Sequence, residues 1–343
     1  MPGNTRQDAQ GNESRVIVVG AGVVGVATAL WLQRDGHAVT LVDKGGPQDR
    51  AGYGNAGVLA SSSVIPVTMP GLIGKAPGML LSRHQPVFLR WSYLLKLLPW
   101  ACRYLSHANE ADARRIAKAL TPIIGNSLDD HRALAAGSTA KQRIRAADFA
   151  FLFKDRQAFL QDPLPWDIRR SNGFDWTECD AEERLRYDPL FDKSYRFMAV
   201  LGGHGQISDP GAYLNDLTEH FIRQGGTRLK DEVCDIAHEN GQVTGVRTLS
   251  DFLPASAVAI TAGAWSPLLT GKLGLNMPVE AESGYHIEYW GANKMPRSPT
   301  LVPSGKFIVT PMEGRLRVAG AVEFGGLGNS GSEQPLALLR AGL

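Results

Sequence analysis

The sequence predicts an α/β protein, α+β overall, with a doubly wound parallel-sheet domain built from discontinuous segments and a second, antiparallel domain. Two observations predict the first domain: the strand, glycine turn, helix and strand over Val16–Asp43, and a buried apolar strand at Ala255–Ile260. The third is the alternation of apolar and polar residues after Met277, which predicts the antiparallel sheet. With 343 residues, the chain is long enough for two domains.

The first element is Val16–Val19, a short β-branched run that predicts a buried strand. Gly20, Gly22 and Gly25 then fit the pattern G-x-G-x-x-G before a helix, and a second strand ends at Asp43. Such glycines permit a tight turn, close approach of a pyrophosphate and close packing of helix on strand, and the acid accepts from a ribose hydroxyl. The whole unit therefore predicts dinucleotide binding.

An export signal is the alternative for this segment, because Arg15 precedes the apolar run and Ala27–Ala29 resembles a cleavage site. The acidic residues Asp8 and Glu13 and the glycines argue against it. Residues 1–15 are polar and predict a disordered tail.

Composition excludes several classes of function. The net charge is +2 and basic residues form no stripe, which argues against nucleic-acid binding. Cys102, Cys179 and Cys234 are far apart and lack a C-x-x-C pattern, which favours a reducing, cytoplasmic compartment. No cluster has metal-ligand spacing, so no metal is predicted.

Two further segments carry functional expectations. Gly45–Gly57 is rich in small residues directly after the ribose acid, and it predicts a second cofactor contact rather than a plain surface loop. Pro86–Asn109 predicts amphipathic helices interrupted at Pro99. They either cover a substrate domain or lie on a membrane surface as a peripheral contact.

The remaining elements follow in order. They are a strand at Phe149–Phe153, a helix at Lys154–Leu160, an irregular loop at Pro163–Trp176, a strand at Tyr195–Leu201, a helix at Asp209–Gly225, strands at Arg228–Val233, Asp235–Glu239 and Val243–Leu249 with an Asn240-Gly241 hairpin, and strands at Tyr285–Trp290, Phe307–Thr310 and Leu316–Ala321.

Several motifs in order resemble a known family: VIVVGAGVVGVATALWL, YGNAGVLA, KAPGMLL, TAGAWS, SGYHIEY and RLRVAGAVEFGG. Together they resemble the D-amino acid dehydrogenase (small-subunit) family of the D-amino acid oxidase-like FAD-dependent oxidoreductases. The resemblance runs from about Arg15 to about Gly326. It implies FAD rather than a nicotinamide cofactor.

The resemblance also implies site residues. The glycine turn takes the pyrophosphate, Asp43 the ribose, Gly54–Gly57 the flavin side and Val233 the adenine. The implied cofactor-binding residues are Gly20, Ala21, Gly22, Val23, Val24, Gly25, Asp43, Lys44, Gly54, Asn55, Ala56, Gly57, Val233, Ala262 and Gly263.

The catalytic candidates are Tyr285, His286 and Arg317. A flavin dehydrogenase must hold the substrate carboxylate, usually with an arginine or a tyrosine hydroxyl. Because Tyr285 and His286 are adjacent on one strand, only one of them faces a pocket unless the strand bulges.

The resemblance implies FAD-dependent oxidative deamination of a D-amino acid to a 2-oxo acid and ammonia. Electrons would pass to an acceptor other than oxygen, a quinone or a redox protein. One alternative is oxidation of a secondary amine of the sarcosine or hydroxyproline type. The other is a non-catalytic, shortened flavoprotein, because family members continue past the position of Leu343 with a substrate-binding arginine. A cytoplasmic protein, or one peripheral at the inner face of the membrane, is expected.

The predicted domains are a tail at 1–15, the FAD-binding domain at 16–85 and 201–270, the substrate domain at 86–200 and 271–330, and a truncated end at 331–343.

Overall fold

The computed structural model describes residues 15–74, 78, 86–328 and 331–342. The predicted tail before Arg15 and all but Gly78 of the KAPGMLL motif lie outside the described residues. The described strands are β1 (Arg15–Val19), β2 (Ala38–Asp43), β3 (Val58–Leu59), β4 (Val87–Leu89), β5 (Ile144–Phe153), β6 (Thr177–Cys179), β7 (Phe197–Ile207), β8 (Thr227–Lys230), β9 (Val233–Glu239), β10 (Gln242–Thr248), β11 (Phe252–Pro254), β12 (Ala257–Ile260), β13 (Ser283–Trp290), β14 (Thr300–Val302), β15 (Phe307–Met312) and β16 (Arg315–Phe324). The described α-helices are α1 (Val23–Arg34), α2 (Leu94–Ser106), α3 (Glu110–Ile124), α4 (Ser127–Leu134), α5 (Arg156–Leu160), α6 (Leu164–Ser171), α7 (Ala181–Tyr187), α8 (Pro210–Arg223), α9 (Ser266–Thr270) and α10 (Glu333–Ala341).

The chain forms two compact units. The first contains residues up to Tyr53, Leu134–Lys141 and Pro210–Val279, and the second contains Gly54–Ala133, Gln142–Asp209 and the chain from Glu280 onward. These units do not coincide with the predicted domain bounds. The chain joins the second unit at Gly54, well before residue 85, because β3 pairs with β7 in the sheet of that unit.

A parallel four-stranded sheet in the order β12-β1-β2-β8 organises the first unit. Helix α1 packs on β1 and β2 and contacts α8 on the same side. The opposite face buries Ile17, Val19 and Val42 against Ile236 and Val246 of the antiparallel sheet β11-β10-β9. The Rossmann-like strand and helix order is as predicted, but strands cover the face where a doubly wound sheet carries further helices.

The turn between β9 and β10 has the predicted hairpin chemistry. Asn240 and Gly241 both have positive φ, 51° and 77°. Two consecutive residues of this kind form the tight turns that match the twist of a β-hairpin.

A nine-stranded sheet organises the second unit. Its main order is β13-β16-β15-β14-β5-β7-β3, with β4 beside β16 and β6 beside β7. Most pairs are antiparallel, as the alternating sequence predicts, whereas β14 with β5 and β16 with β4 are parallel. The core includes Leu152, Met198, Val309, Val318 and, from α10, Leu339.

The prediction of an irregular loop at Pro163–Trp176 was wrong, because α6 forms within it. Its prolines lie at the N-cap and in the first turn, where a missing N–H removes no helical hydrogen bond. Burial of Trp166 and Ile168 supplies the stabilisation that the local sequence pattern does not reveal.

Within the described ranges, none of the helices combines the length and the apolar character that crossing a membrane requires.

Candidate functional site

The carboxyl ends of three parallel strands of the first unit meet at the glycine turn. The N–H of Gly20 donates to the carbonyl of Val42 at 2.8 Å, which ties the end of β1 to β2. The N–H of Thr261 donates to the carbonyl of Val19, also at 2.8 Å, which ties β1 to the end of β12. The Thr261 hydroxyl donates to Val19 O and Gly20 O at 2.8 and 3.0 Å. Ligands of open parallel sheets bind at this edge.

The three glycines of the turn have different surroundings. Gly20 has φ +102°, and a Cβ there would lie 2.6 Å from the carbonyl oxygen of Thr261. A Cβ on Gly25 would lie 1.8 Å from the carbonyl oxygen of Gly20. At Gly22, no heavy atom lies within 4 Å of the Cβ position. The protein itself therefore needs the first and third glycines, whereas the second leaves space that a ligand can fill.

The N-terminus of α1 is open beside that space. Gly22 is the N-cap residue and provides no side-chain cap. Val23 and Val24 in the first turn are 38% and 63% exposed, although both are apolar. First-turn N–H groups and the positive end of the helix dipole attract an anion. The open cradle fits the diphosphate of FAD.

Asp43 lies at the end of β2, next to this turn. One carboxylate oxygen accepts from the N–H of Ala21 at 2.6 Å, and the other accepts from the N–H of Gly45 at 2.7 Å. Each oxygen keeps a further lone pair that can accept from a ribose hydroxyl. The carboxylate therefore fits the ribose of FAD and also holds the two backbone segments that flank it.

The other cofactor candidates of the first unit surround the same edge. Lys44 forms an ion pair with Glu232 at 3.0 Å and lies 5.4 Å from the ring centroid of Trp265. Val233 opens β9 one residue after Glu232. Ala262 precedes the turn Gly263–Trp265, and a Cβ on Gly263 would meet nothing within 4 Å.

Within the second unit, Gly54–Gly57 lies against β13 and β16. The ring of His286 packs so close to Gly54 that a Cβ there would lie 2.7 Å from Nδ1. The Asn55 side chain accepts from the N–H of Gly57 at 2.7 Å, which closes the loop on itself. The Asn55 carbonyl accepts from Nη1 of Arg317 at 2.6 Å. The predicted flavin-side loop and two of the three catalytic candidates are thus neighbours.

A buried charge network holds Arg317. Oε1 of Glu288 accepts from Nη2 of Arg317 at 2.5 Å and from Nε of Arg315 at 2.7 Å. Arg315 also pairs with Asp209 at 3.1 Å. Burial opposes ionisation of Glu288, but the hydrogen bonds from Arg317 and Arg315 outweigh it and lower the pKa of this carboxyl. Glu288 is therefore ionised near neutral pH.

His286 is neutral near pH 7. Burial lowers its pKa, and the positive charge of Arg317 lowers it further. A neutral imidazole has one N–H donor and one acceptor nitrogen, so it can both donate to and accept from a bound molecule.

Tyr285 points to a different set of residues. Its hydroxyl donates to the carboxylate of Glu323 and accepts from the N–H of Ser332 at 2.8 Å. The β13–β16 register shifts between Tyr285 and His286, because Gly320 is an extra residue on β16. The structure therefore brings His286 and Arg317 together with Gly54–Gly57 and anchors Tyr285 elsewhere.

Sequence reasoning missed Thr261, Glu288 and Arg50. Thr261 stands one residue before the predicted Ala262-Gly263 pair, and Glu288 is two residues after His286, hence on the same strand face. These two spacings are the sequence signals from which Thr261 and Glu288 could have been predicted as site residues. The buried side chain of Arg50 left no signal in the local sequence.

Among the residues that the structure describes, no group of three His, Cys, Asp or Glu side chains is arranged to hold a metal.

The sequence profile of the family described as FAD dependent oxidoreductase matches residues 15–341. The chain belongs to this family. Its cofactor is therefore FAD, as the resemblance of its motifs implied, and the protein is an oxidoreductase.

Curated relatives of this oxidoreductase include a D-amino-acid oxidase from Bradyrhizobium diazoefficiens, which is 36% identical over 91% of the chain and 75% of the relative. A D-amino acid dehydrogenase from Rhizobium johnstonii is 30% identical over 92% of the chain and 77% of the relative.

Solved structures with the same fold include glycine oxidase from Geobacillus kaustophilus, with a TM-score of 0.68 and 20% identity over 96% of the chain and 77% of that structure. Iminodiacetate oxidase from Chelativorans sp. BNC1 has a TM-score of 0.64 and 18% identity over 96% of the chain and 78% of that structure. The oxidoreductase therefore has the predicted mixed α/β fold.

Proposed function

We propose that this oxidoreductase converts a D-amino acid into a 2-oxo acid and ammonia. The observation that carries the proposal is the match of more than nine-tenths of the chain to relatives named for D-amino acids. The substrate loses two electrons and two protons to give an imino acid, and water then replaces its nitrogen as ammonia. FAD, when bound, supplies the chemistry that accepts hydride from the substrate carbon.

The first unit provides the binding groups for that cofactor. The open space at Gly22 and the N–H groups of α1 hold the diphosphate, and Asp43 accepts from the ribose.

In the second unit, His286 acts at the substrate side of the loop Gly54–Gly57. Its neutral imidazole adds no charge that would repel the substrate ammonium, and its acceptor nitrogen can take a hydrogen bond from it. Arg317 is a positioning residue, because its charge is matched by Glu288 and its Nη1 holds the Asn55 carbonyl. Tyr285, as part of the Glu323 and Ser332 hydrogen bonds, orients β13.

Anaerobic reduction of the FAD-loaded protein tests the substrate without any assumption about the electron acceptor. D-alanine and other D-amino acids should bleach the flavin absorbance, whereas L-alanine should not. Sarcosine, hydroxyproline and glycine form the matched series of alternative amines. Bleaching by those amines combined with none by any D-amino acid would contradict the proposed substrate class.

The electron acceptor and the membrane contact belong to this proposal as well. Helix α2 exposes Leu95 (80%) and Leu98 (42%) near the exposed basic residues Lys96 and Arg103. An apolar face flanked by basic residues suits the surface of an anionic membrane. We therefore propose peripheral contact through α2 and transfer of electrons to a quinone.

Two measurements test this second part. A soluble quinone should reoxidise the reduced flavin faster than air-saturated buffer does. The protein should sediment with vesicles that contain anionic lipid, and a Leu95→Glu/Leu98→Glu variant should remain in the supernatant. If oxygen but not the quinone reoxidised the flavin, the protein would be an oxidase instead. If the wild-type protein and the variant sedimented equally, α2 would be excluded as the membrane contact.

A further inference from the structure

Arg50 is a buried cation whose guanidinium lacks hydrogen bonds among the described residues. Its side chain is 7% exposed, and Nε, Nη1 and Nη2 are all buried without a hydrogen-bond partner among the residues that the structure describes. A guanidinium carries five N–H donors, and burying such a charge unpaired is strongly unfavourable. The fold therefore tolerates an unfavourable buried guanidinium at this position, which calls for a functional explanation.

The charges around Arg50 leave a positive excess. Arg50 feels the positive charge of Arg228 and the negative charge of Asp43, and burial and Arg228 lower its pKa. The Asp43 carboxylate is already bonded to the N–H groups of Ala21 and Gly45. Within this set of three groups, two guanidinium charges face one carboxylate, so one positive charge is left unmatched.

The same carboxylate connects Arg50 to the glycine turn. Asp43 is within electrostatic reach of Arg50 and accepts a hydrogen bond from Ala21, the residue before the open cradle at Gly22. The uncapped N-terminus of α1 begins there. The Asp43 carboxylate therefore interacts both with Arg50 and with the backbone of the glycine turn.

We propose that Arg50 is a ligand of the FAD diphosphate and completes its site together with Gly22 and the first turn of α1. The diphosphate is the one anionic group of FAD, and an arginine fork can donate two parallel hydrogen bonds to phosphate oxygens. The proposal rests on the cofactor of the family and not on the D-amino acid substrate.

Titration of the apoprotein with FAD, ADP and adenosine tests the proposal without turnover. Arg50→Met should weaken FAD and ADP about ten- to a hundredfold, the effect of losing a charged hydrogen bond, and should leave adenosine unchanged. Arg50→Lys, which keeps the charge and loses the fork, should give a smaller loss. Arg223→Met is the matched control, because it removes an equal charge from the same unit at an exposed ion pair.

Thermal unfolding of the apoproteins provides the second measurement. Because Arg50→Met removes an unpaired buried charge, its apoprotein should melt above the wild-type apoprotein, while its gain in Tm on adding ADP shrinks. Unchanged ADP affinity in Arg50→Met would overturn the proposal. An equal loss of affinity for adenosine and for ADP would also overturn it. The same holds if the Arg50→Met apoprotein fails to fold while Arg50→Lys retains full ADP affinity. Each of these results would show that Arg50 is a structural cation.

Discussion

At the residue scale, Gly22 and Gly25 have different roles. Gly22 leaves space for the ligand, and Gly25 is required for packing of the protein itself. Gly22 has φ −67° and ψ −179°, which any residue adopts, and its Cβ position is open. Gly22→Val should therefore abolish FAD binding and change the free energy of unfolding by less than about 1 kcal/mol. Gly25→Val should destabilise the first unit by more than about 4 kcal/mol, because its side chain would overlap the backbone of Gly20. Flavin titration and urea unfolding of both variants measure this; a Gly22→Val protein that stays yellow refutes it.

The Asp43 carboxylate has a structural role and a proposed role in ribose binding, and a substitution should affect both. Its carboxylate accepts from Ala21 and Gly45 and is proposed to accept from the ribose. Asp43→Ala should weaken FAD by about 1–3 kcal/mol and should lower stability as well, since two backbone N–H groups lose their acceptor. Asp43→Asn keeps one carbonyl oxygen and should lie between. An FAD dissociation constant that does not change in Asp43→Ala places the ribose elsewhere.

At the element scale, the β13–β16 pair depends on the buried ions that cross it. Arg317→Met leaves Glu288 paired with Arg315 but releases the Asn55 carbonyl. We expect a loss of about 1–3 kcal/mol in stability, because Glu288 keeps Arg315 while the Asn55 carbonyl loses its charged donor. The anaerobic rate of flavin reduction should fall more than substrate affinity does, because the loop Gly54–Gly57 is displaced. The control is Arg297→Met, which removes a cation from the same unit; equal losses in both variants would show that Arg317 has no special role.

Elements with local signals were predicted well from the sequence. The β1–α1–β2 unit and the Asn240-Gly241 hairpin follow from apolar periodicity and turn chemistry, which act over a few residues. Helix α6 was missed because its stabilisation comes from burial of Trp166 among aromatic residues distant in the chain. Arg317 was a candidate from the sequence, but its contacts with Glu288 and Asn55 depend on strand register and on a loop 262 residues away.

At the scale of the whole molecule, the chain crosses between the two units several times. Chain length and the change of pattern after Met277 indicated two domains, and discontinuous segments were predicted for the first. The crossing at Gly54 was not predictable, because it depends on β3, a strand of only two residues that pairs with β7. Buried unpaired charge such as that of Arg50 is likewise a property of the assembled first unit and not of any sequence window.

Buried histidines should make stability depend on pH below neutrality. Burial lowers the pKa of His131, His204, His220 and His286 relative to the unfolded chain. Between their folded pKa values and about 6.5, the unfolded state binds more protons, so acidification favours unfolding. Each histidine contributes a slope of at most about 1.4 kcal/mol per pH unit. The Glu288 carboxyl, whose pKa is also lowered, adds its loss only at more acidic pH, below about 4.5.

Urea unfolding at pH 7.5, 6.5 and 5.5 measures this dependence. Stability should be nearly constant from pH 7.5 to about 7 and should fall progressively below about 6.5, as the unfolded histidines take up protons. His286→Gln should flatten the slope, because it removes one group that titrates differently in the two states. His238→Gln, at an exposed position, is the control variant. A free energy of unfolding that stays level down to pH 5.5 would mean that these histidines bind protons as readily when folded, and the neutral His286 on which the substrate-side mechanism depends would have to be abandoned.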